Sequence, residues 1–339
     1  MLSGSGVASA TSPARRLAES VAAILDQTHP GAPLERAAGR LLGFGDIPPA
    51  PAVPPLPGTD AAVVDAAFGY RLRYDLGPYR CADAGAVHGA NVVVRADRSV
   101  ADRLGAFFAE TDRLAARWAP HRGDLTADDD LELVRRCVVL ARVEAAWATG
   151  VTGHLLPLPA DVRQLAPPAE VDDVAALHRS AAKAFAPLLD RVAAGVRYVA
   201  RPAVAGGLAA GAAPADLLIG DELLAVEVSA TLDPAALREV LVQLLATSLL
   251  DYDDDWGVRR VGAYFARHRF VPSWPLWVLV FPPHDVLGRF ASRRPPAPSE
   301  VDSRLREVRA AMRLAVQGRP GGAGEGPAEA PRASRRGVG

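Results

Sequence analysis

Lysine is nearly absent from this sequence. Of its 38 basic residues only Lys183 is a lysine and the rest are arginines, whereas 39 residues are acidic, so the formal net charge is −1. A chain without a global positive field offers no general attraction to nucleic acid, which argues weakly against such a partner. Local arginine clusters could still bind phosphate groups.

Cysteine is scarce as well. Cys81 and Cys137 are the two in the chain, and neither has a Cys or His at metal-ligand spacing, which indicates reduced thiols in a cytosolic protein. The first residues contain no apolar stretch typical of a signal peptide. The longest apolar run, LWVLVF near Trp277, is far too short to span a bilayer. We therefore expect a cytoplasmic protein with no membrane partner, and the oligomeric state stays open.

Several catalytic motifs are missing too. The seven histidines are scattered without zinc-ligand spacing, and the glycines form no phosphate-binding loop. No G-x-S-x-G elbow supports serine hydrolase chemistry. The acidic run at 251–255 lacks the glycine and distal glutamate of a calcium loop, so a solvated turn is the better interpretation.

The composition divides the chain into three parts. Residues 1–58 form an N-terminal extension that ends in the Pro-rich linker IPPAPAVPPLPG, which cannot continue a helix. Residues 59–286 form the main domain, with a helical part at 59–193 and a catalytic-type core at 194–286. Residues 287–339 contribute a last helix and a low-complexity tail.

Apolar spacing and capping residues predict helices in the first half of the chain. Residues 77–98 are instead expected to be irregular, with a short strand at NVVV (91–94). The predicted helices are 14–27, one that Asp60 caps over 61–76, one that Ser99 caps as far as Trp118, one from Thr126 to about Gly150, and 169–193.

The second half predicts a sheet with further helices. Alternating apolar residues indicate strands, and Gly220–Asp221 is typical of a hairpin turn. The predicted strands are 196–204, 215–220, 222–230, 259–268 and 270–276; the predicted helices are 234–250 with Asp233 as its cap, and one from the capping box of Ser299 and Asp302 to about Val316. Helices followed by this strand pattern predict an α/β fold with a mixed sheet flanked by helices.

Two acidic residues interrupt the predicted hairpin. Asp216 and Glu227 each lie within an otherwise apolar strand, where a charge is costly unless it is exposed, paired or bound to a metal. Facing strands could bring the two carboxylates together, and a divalent cation would relieve their repulsion. The alternative is that both lie on the solvent face of the hairpin.

The arrangement resembles the PD-(D/E)XK nuclease superfamily and, within it, the RecB-like branch. The stretch PADLLIGDELLAVEVS (214–229) carries the match, followed by the helix REVLVQLLATSLLDYDDD (238–255). The upstream AAFGYRLRY (66–74) looks like the opening helix of that superfamily, and RPAVAGG (201–207) like the strand end before its aspartate. The resemblance implies a restriction-endonuclease-like fold.

The resemblance also implies a chemistry. Asp216, Glu227 and the Val228 carbonyl would bind Mg²⁺ (or Mn²⁺) for hydrolysis of DNA phosphodiester bonds, and Gln243 would match the helical glutamine of the superfamily. Ser229 stands at the position of the lysine, and a hydroxyl supplies no positive charge. In addition, Thr247 stands at the position of a tyrosine.

These departures leave several hypotheses. Lys183 or Arg238 could reach in to replace the missing lysine, and the arginines at 259–269 could contact phosphates or form an ordinary charged face. The leading hypothesis is a DNA-acting nuclease with a degraded site, and Ser229 then counts with Asp216, Glu227 and Gln243 as a site residue. The alternatives are a catalytically inactive binding or scaffold protein of the same fold, and a structural protein unrelated to nucleases.

Overall fold

The fold of the chain comes from a computed structural model. It describes residues 51–77, 79–118, 126–149, 155–204, 215–232, 234–281 and 295–317. The helix predicted over 14–27, the cap at Asp233 and the low-complexity tail lie outside these residues.

Helices make up most of the first half of the described chain. Asp60 accepts hydrogen bonds from the backbone nitrogens of Ala62 and Val63, and Thr126 accepts one from Asp129, so both predicted caps are confirmed. The helices are α1 (Ala61–Leu76), α2 (Gly85–Ala96), α3 (Ala101–Trp118), α4 (Ala127–Thr149), α5 (Pro168–Ala193), α6 (Pro234–Leu250), α7 (Trp277–Val280) and α8 (Pro298–Gln317).

Three local predictions were wrong: the strand at NVVV, the cap at Ser99, and the capping box of Ser299 and Asp302, since α8 begins at Pro298 and so contains Ser299. The segment NVVV belongs to α2 and not to a strand. The buried residues Ala86, Ala90 and Val93 follow one another at helical spacing, so they form one buried face of this helix. Packing of this face against α4 therefore overrides the strand preference of three consecutive valines. Ser99 does not cap α3 either: it lies within a single turn at Arg98–Val100, where Asp97 accepts from its backbone nitrogen.

Within the described residues, the sheet has five strands in sequence order: β1 (Tyr198–Ala200), β2 (Leu217–Ile219), β3 (Glu222–Glu227), β4 (Arg260–Phe265) and β5 (Ser273–Pro275). Gly220, with φ of 66°, makes the predicted hairpin turn between β2 and β3. Strands β3 and β4 are parallel because α6 crosses between them, and the other neighbours are antiparallel. The predicted α/β class with a mixed sheet and flanking helices is thus confirmed.

Helices cover both faces of this sheet. Side chains alternate along β2 and β3, so one face meets α1, α4 and α5 and the other meets α6 and α8. The first core contains Leu217, Ile219, Leu224 and Val226, and the second contains Leu218, Leu223 and Ala225. The last helix, α8, belongs to the second core through Leu305, Val308 and Met312.

A buried arginine ties distant segments to the end of β3. Arg267 and Asp173 form an ion pair with a shortest distance of 2.8 Å, and both side chains are almost fully buried. The same guanidinium donates to the carbonyls of Val228 and Val53. The end of the Pro-rich segment is therefore attached to the domain through Val53, which is itself buried.

Two glycines bring α2 and α4 into close contact. Gly85 and Gly89 lie one turn apart on α2, and a Cβ at Gly89 would overlap with the carbonyl of Val143 on α4. Since the obstacle is backbone, it has no flexible end that could move away. The close crossing of the two helices therefore requires a residue without a side chain at position 89.

Within the part of the chain described, no helix combines the length and the apolar character needed to cross a membrane.

We expect Gly89→Ala to destabilise the protein severely, by several kcal/mol, because overpacking forces backbone shifts. Gly105→Ala is the matched control: it lies in α3 with open space where a Cβ would be added, so the better helix propensity should make it neutral or slightly stabilising. Thermal unfolding followed by circular dichroism measures both. Equal melting temperatures for the two variants would contradict the close crossing.

A second prediction concerns Arg267. Removing it by Arg267→Ala leaves Asp173 charged and buried without its partner, which should cost about 3–5 kcal/mol in free energy of unfolding. The control is Arg163→Ala, whose side chain is 44% exposed and whose ion pairs with Asp161 and Glu132 should together be worth about 0–1 kcal/mol. Urea titrations of both variants give these free energies, and a small loss for Arg267→Ala would refute its role as a tie.

Candidate functional site

Asp216 lies one residue before β2, where the sequence analysis expected a metal ligand. Its Oδ1 accepts a hydrogen bond from Arg73 Nη2 at 2.9 Å, and its Oδ2 accepts one from the backbone nitrogen of Val226, also at 2.9 Å. Both carboxylate oxygens are therefore engaged by the protein itself. The positive charge opposite Asp216 comes from α1.

Arg73 is buried between aromatic rings. Its guanidinium carbon lies 5.3 Å from the centre of the Tyr70 ring and 5.9 Å from that of Tyr79. Burial by itself lowers the pKa of this guanidinium, but Asp216 together with Tyr79, Tyr70 and Tyr198 outweighs that effect, so the pKa is raised and Arg73 stays charged. A permanent cation is thus built into the site.

Glu227, the last residue of β3, meets a carboxylate that the sequence analysis did not single out. Asp65 on α1 accepts a hydrogen bond from the backbone nitrogen of Val228 at 3.0 Å. Burial and the charge of Asp216 raise the pKa of Asp65 to about 7. Burial and the charges of Asp65, Asp216 and Glu239 raise the pKa of Glu227 to about 8. Several acids therefore share one neighbourhood, with Arg73 as their cation.

The oxygen atoms of Asp216, Glu227 and Val228 are of the kind that bind a hard divalent cation, but they are not arranged to do so. Carboxylate oxygens are the ligands that Mg²⁺ prefers, yet those of Asp216 are engaged, and the Val228 carbonyl accepts from Arg267 Nε at 2.9 Å. Among the described residues, no group of three or more His, Cys, Asp or Glu side chains is arranged to hold a metal ion. As the side chains stand, they do not fit such an ion.

Among the described residues, neither Ser229 nor Gln243 forms a hydrogen bond with the side chains of these acids. The exposed Ser229 uses its hydroxyl within a local turn, donating to the carbonyl of Thr231 at 2.9 Å and accepting from its nitrogen at 3.1 Å. Gln243 is exposed on α6, and Thr247 is buried with its hydroxyl on the Gln243 carbonyl. Lys183 is exposed on α5, while the side chain of Arg238 lies outside the described residues.

A second polar network adjoins the first. Glu144 on α4 accepts from the Tyr70 hydroxyl at 2.5 Å and from Arg201 Nη1 at 2.6 Å. The backbone nitrogen of Arg201 donates to the Asp216 carbonyl at 2.8 Å, and its φ of 49° is unusual for a residue with a side chain. Tyr70 is therefore shared between the neighbourhoods of Arg73 and Glu144.

Sequence reasoning missed Asp65 and Arg73, which together with Asp216 and Glu227 form what we call the acidic cluster. The available signal was the presence of charged residues in α1 among Val, Ala, Phe and Leu. The predicted pair does share one neighbourhood, since Glu227 responds to the charge of Asp216.

Comparison with known proteins adds no relative: no protein-family model, no curated protein and no solved structure matches this chain.

The acidic cluster predicts a pH dependence of stability. Because the pKa of Glu227 rises from 4.5 to about 8 on folding, the folded state binds more protons than the unfolded state between these values. The free energy of unfolding should therefore fall as the pH rises from about 4.5 to about 8, and Glu227→Gln should flatten this fall. Urea titrations at several pH values measure it.

The control for this measurement is Asp102→Asn, which removes one negative charge from the exposed start of α3. In this variant, the free energy of unfolding should change with pH as it does in the native protein. If Glu227→Gln also left this pH dependence unchanged, Glu227 would not be a proton-binding member of the cluster.

Proposed function

We propose that this chain is a PD-(D/E)XK-like protein that no longer hydrolyses phosphodiester bonds and acts as a binding module. The observation that carries the proposal is the ion pair of Arg73 with Asp216, supported by the hydrogen bond from Val226 to the other oxygen of the same carboxylate. A guanidinium neutralises Asp216 permanently, so no metal is needed to compensate its charge.

The surroundings of Glu227 support the same interpretation. Turnover in the superfamily that the sequence resembles would need a cation two residues after the glutamate, but Ser229 bonds to its own turn instead. The Val228 carbonyl faces the Arg267 guanidinium, which would repel a metal ion from that oxygen. Both features argue for retained architecture without its chemistry.

A second candidate is a Mg²⁺- or Mn²⁺-dependent deoxyribonuclease. It is favoured by the acidic cluster itself, where burial and then the repulsion between carboxylates raise the pKa of Asp65 to about 7 and that of Glu227 to about 8. A divalent cation would relieve this repulsion if Asp216 exchanged Arg73 for it. DNA would then be the partner and the metal its cofactor, in the cytoplasm as the two free thiols suggest.

A nicking assay on supercoiled plasmid with Mg²⁺ or Mn²⁺ separates the candidates. We expect the native chain to cleave no faster than Asp216→Ala. Ser229→Lys restores a positive charge near Glu227, so gain of cleavage in that variant would support a silenced site. If the native chain nicked DNA with a metal ion and Asp216→Ala did not, the proposal would be refuted.

Metal binding tests the role of Arg73 directly. Arg73→Met should bind Mn²⁺ at least about tenfold more tightly than the native chain in calorimetric titrations, because a unit charge a few ångströms away is worth more than ~1.4 kcal/mol at a partly buried site. Arg191→Met is the matched control, since Arg191 pairs with Glu222 at the opposite end of β3. Unchanged affinity in Arg73→Met, with its fold verified, would contradict the substitution of metal by arginine.

A further inference from the structure

Two aromatic rings contact each other in a tilted arrangement at the surface near the second polar network, and we call this pair the stack. The rings of His88 on α2 and Trp147 on α4 lie 5.1 Å apart, at an interplanar angle of 34°. Half of the Trp147 surface is open to solvent, which is unusual for so large an apolar side chain, and His88 is exposed. The stack therefore offers an aromatic surface beyond what packing of the two helices requires.

The stack lies one helical turn from a guanidinium. Gly85, the first residue of α2, has Arg201 Nη1 within 2.7 Å of the position that a Cβ would take, and Glu144 contacts the same glycine. His88 follows Gly85 by three residues, and Trp147 follows Glu144 by three. His88 and Trp147 therefore lie one helical turn beyond Gly85 and Glu144, the two residues that the Arg201 guanidinium approaches.

Arg201 keeps capacity for an anion. Among the described residues, its side chain donates only Nη1, to Glu144, whereas a guanidinium has five N–H donors. A quarter of the side chain is exposed, and its backbone is held by the Asp216 carbonyl. The exposed face of α2 continues past His88 with Asn91 and Arg95, both exposed, at helical spacing.

An aromatic surface near a partly exposed guanidinium, here one that also pairs with Glu144, is a combination that a nucleotide fits, because each base has a π-face and each phosphate a charge. We propose that this surface, formed by His88, Trp147, Arg201, Asn91 and Arg95, binds single-stranded nucleic acid. A base stacks on Trp147, a neighbouring phosphate contacts Arg201, and the strand continues along α2. Unpaired bases are required, since those of a duplex already stack on each other.

This inference rests on the proposed function only in making the chain a binding module. Nicking and Mn²⁺ titration probe the acidic cluster, whereas strand binding probes the stack. A chain that cleaves DNA could still bind a strand at Trp147, and a silent one could fail to bind. The two proposals therefore fail separately.

Fluorescence polarisation with a labelled 12-residue oligothymidine at low salt tests the surface. Trp147→Ala should weaken binding by roughly tenfold, and Trp147→Phe, which keeps a ring, should recover most of it. The control Leu314→Ala removes an exposed apolar side chain from α8 and should bind as the native chain does. Unchanged affinity in a folded Trp147→Ala would overturn the proposal.

Two further measurements separate the roles of ring and charge. Arg201→Gln should lower the slope of log affinity against log salt by about 0.7, the value for one phosphate contact on a single strand, whereas Trp147→Ala should keep the slope. An abasic oligomer of equal length lacks the bases that would stack on Trp147. Its affinity for the native chain should therefore be no higher than the affinity of oligothymidine for Trp147→Ala. Equal binding of abasic and thymidine oligomers by the native chain would refute base stacking.

Discussion

A guanidinium buried at the end of the sheet holds the surroundings of the acidic cluster together. Arg267 binds Asp173 of α5, the carbonyl of Val228 just after β3, and the carbonyl of Val53 in the Pro-rich segment. Without it, the Val228 and Val53 carbonyls would lose a donor, and the buried charge of Asp173 would keep only a long hydrogen bond from Thr59. The position of Glu227 relative to α5 therefore depends on one side chain 40 residues away in sequence.

The acidic cluster shows what happens when a charge-rich site is compensated from within. Arg73 pairs with Asp216 but not with Asp65 or Glu227, and burial, together with the neighbouring carboxylate charges, raises the pKa of both acids. Such an arrangement lowers the free energy of unfolding, because like charges that lie close together in the folded state repel one another. This loss of stability is consistent with our proposal that the fold keeps its acidic residues but no longer hydrolyses phosphodiester bonds.

Local patterns were reliable where local forces decide structure. The hairpin around Gly220 and the caps at Asp60 and Thr126 follow from turn geometry and capping, which act over a few residues. Segment 85–96 was mispredicted because its valines favour a strand by themselves. Close packing against Val143 through Gly89 requires a helix there, and that requirement is not local.

The sequence by itself determined the α/β class, the hairpin that carries Asp216 and Glu227, and the absence of a lysine two residues after Glu227. Only the tertiary structure decided what faces those acids. Arg73 and Asp216 are 143 positions apart, and Asp65 and Val228 are 163 apart. Apolar periodicity and capping act along the chain, whereas the charge state of a carboxylate depends on whatever lies within a few ångströms in space.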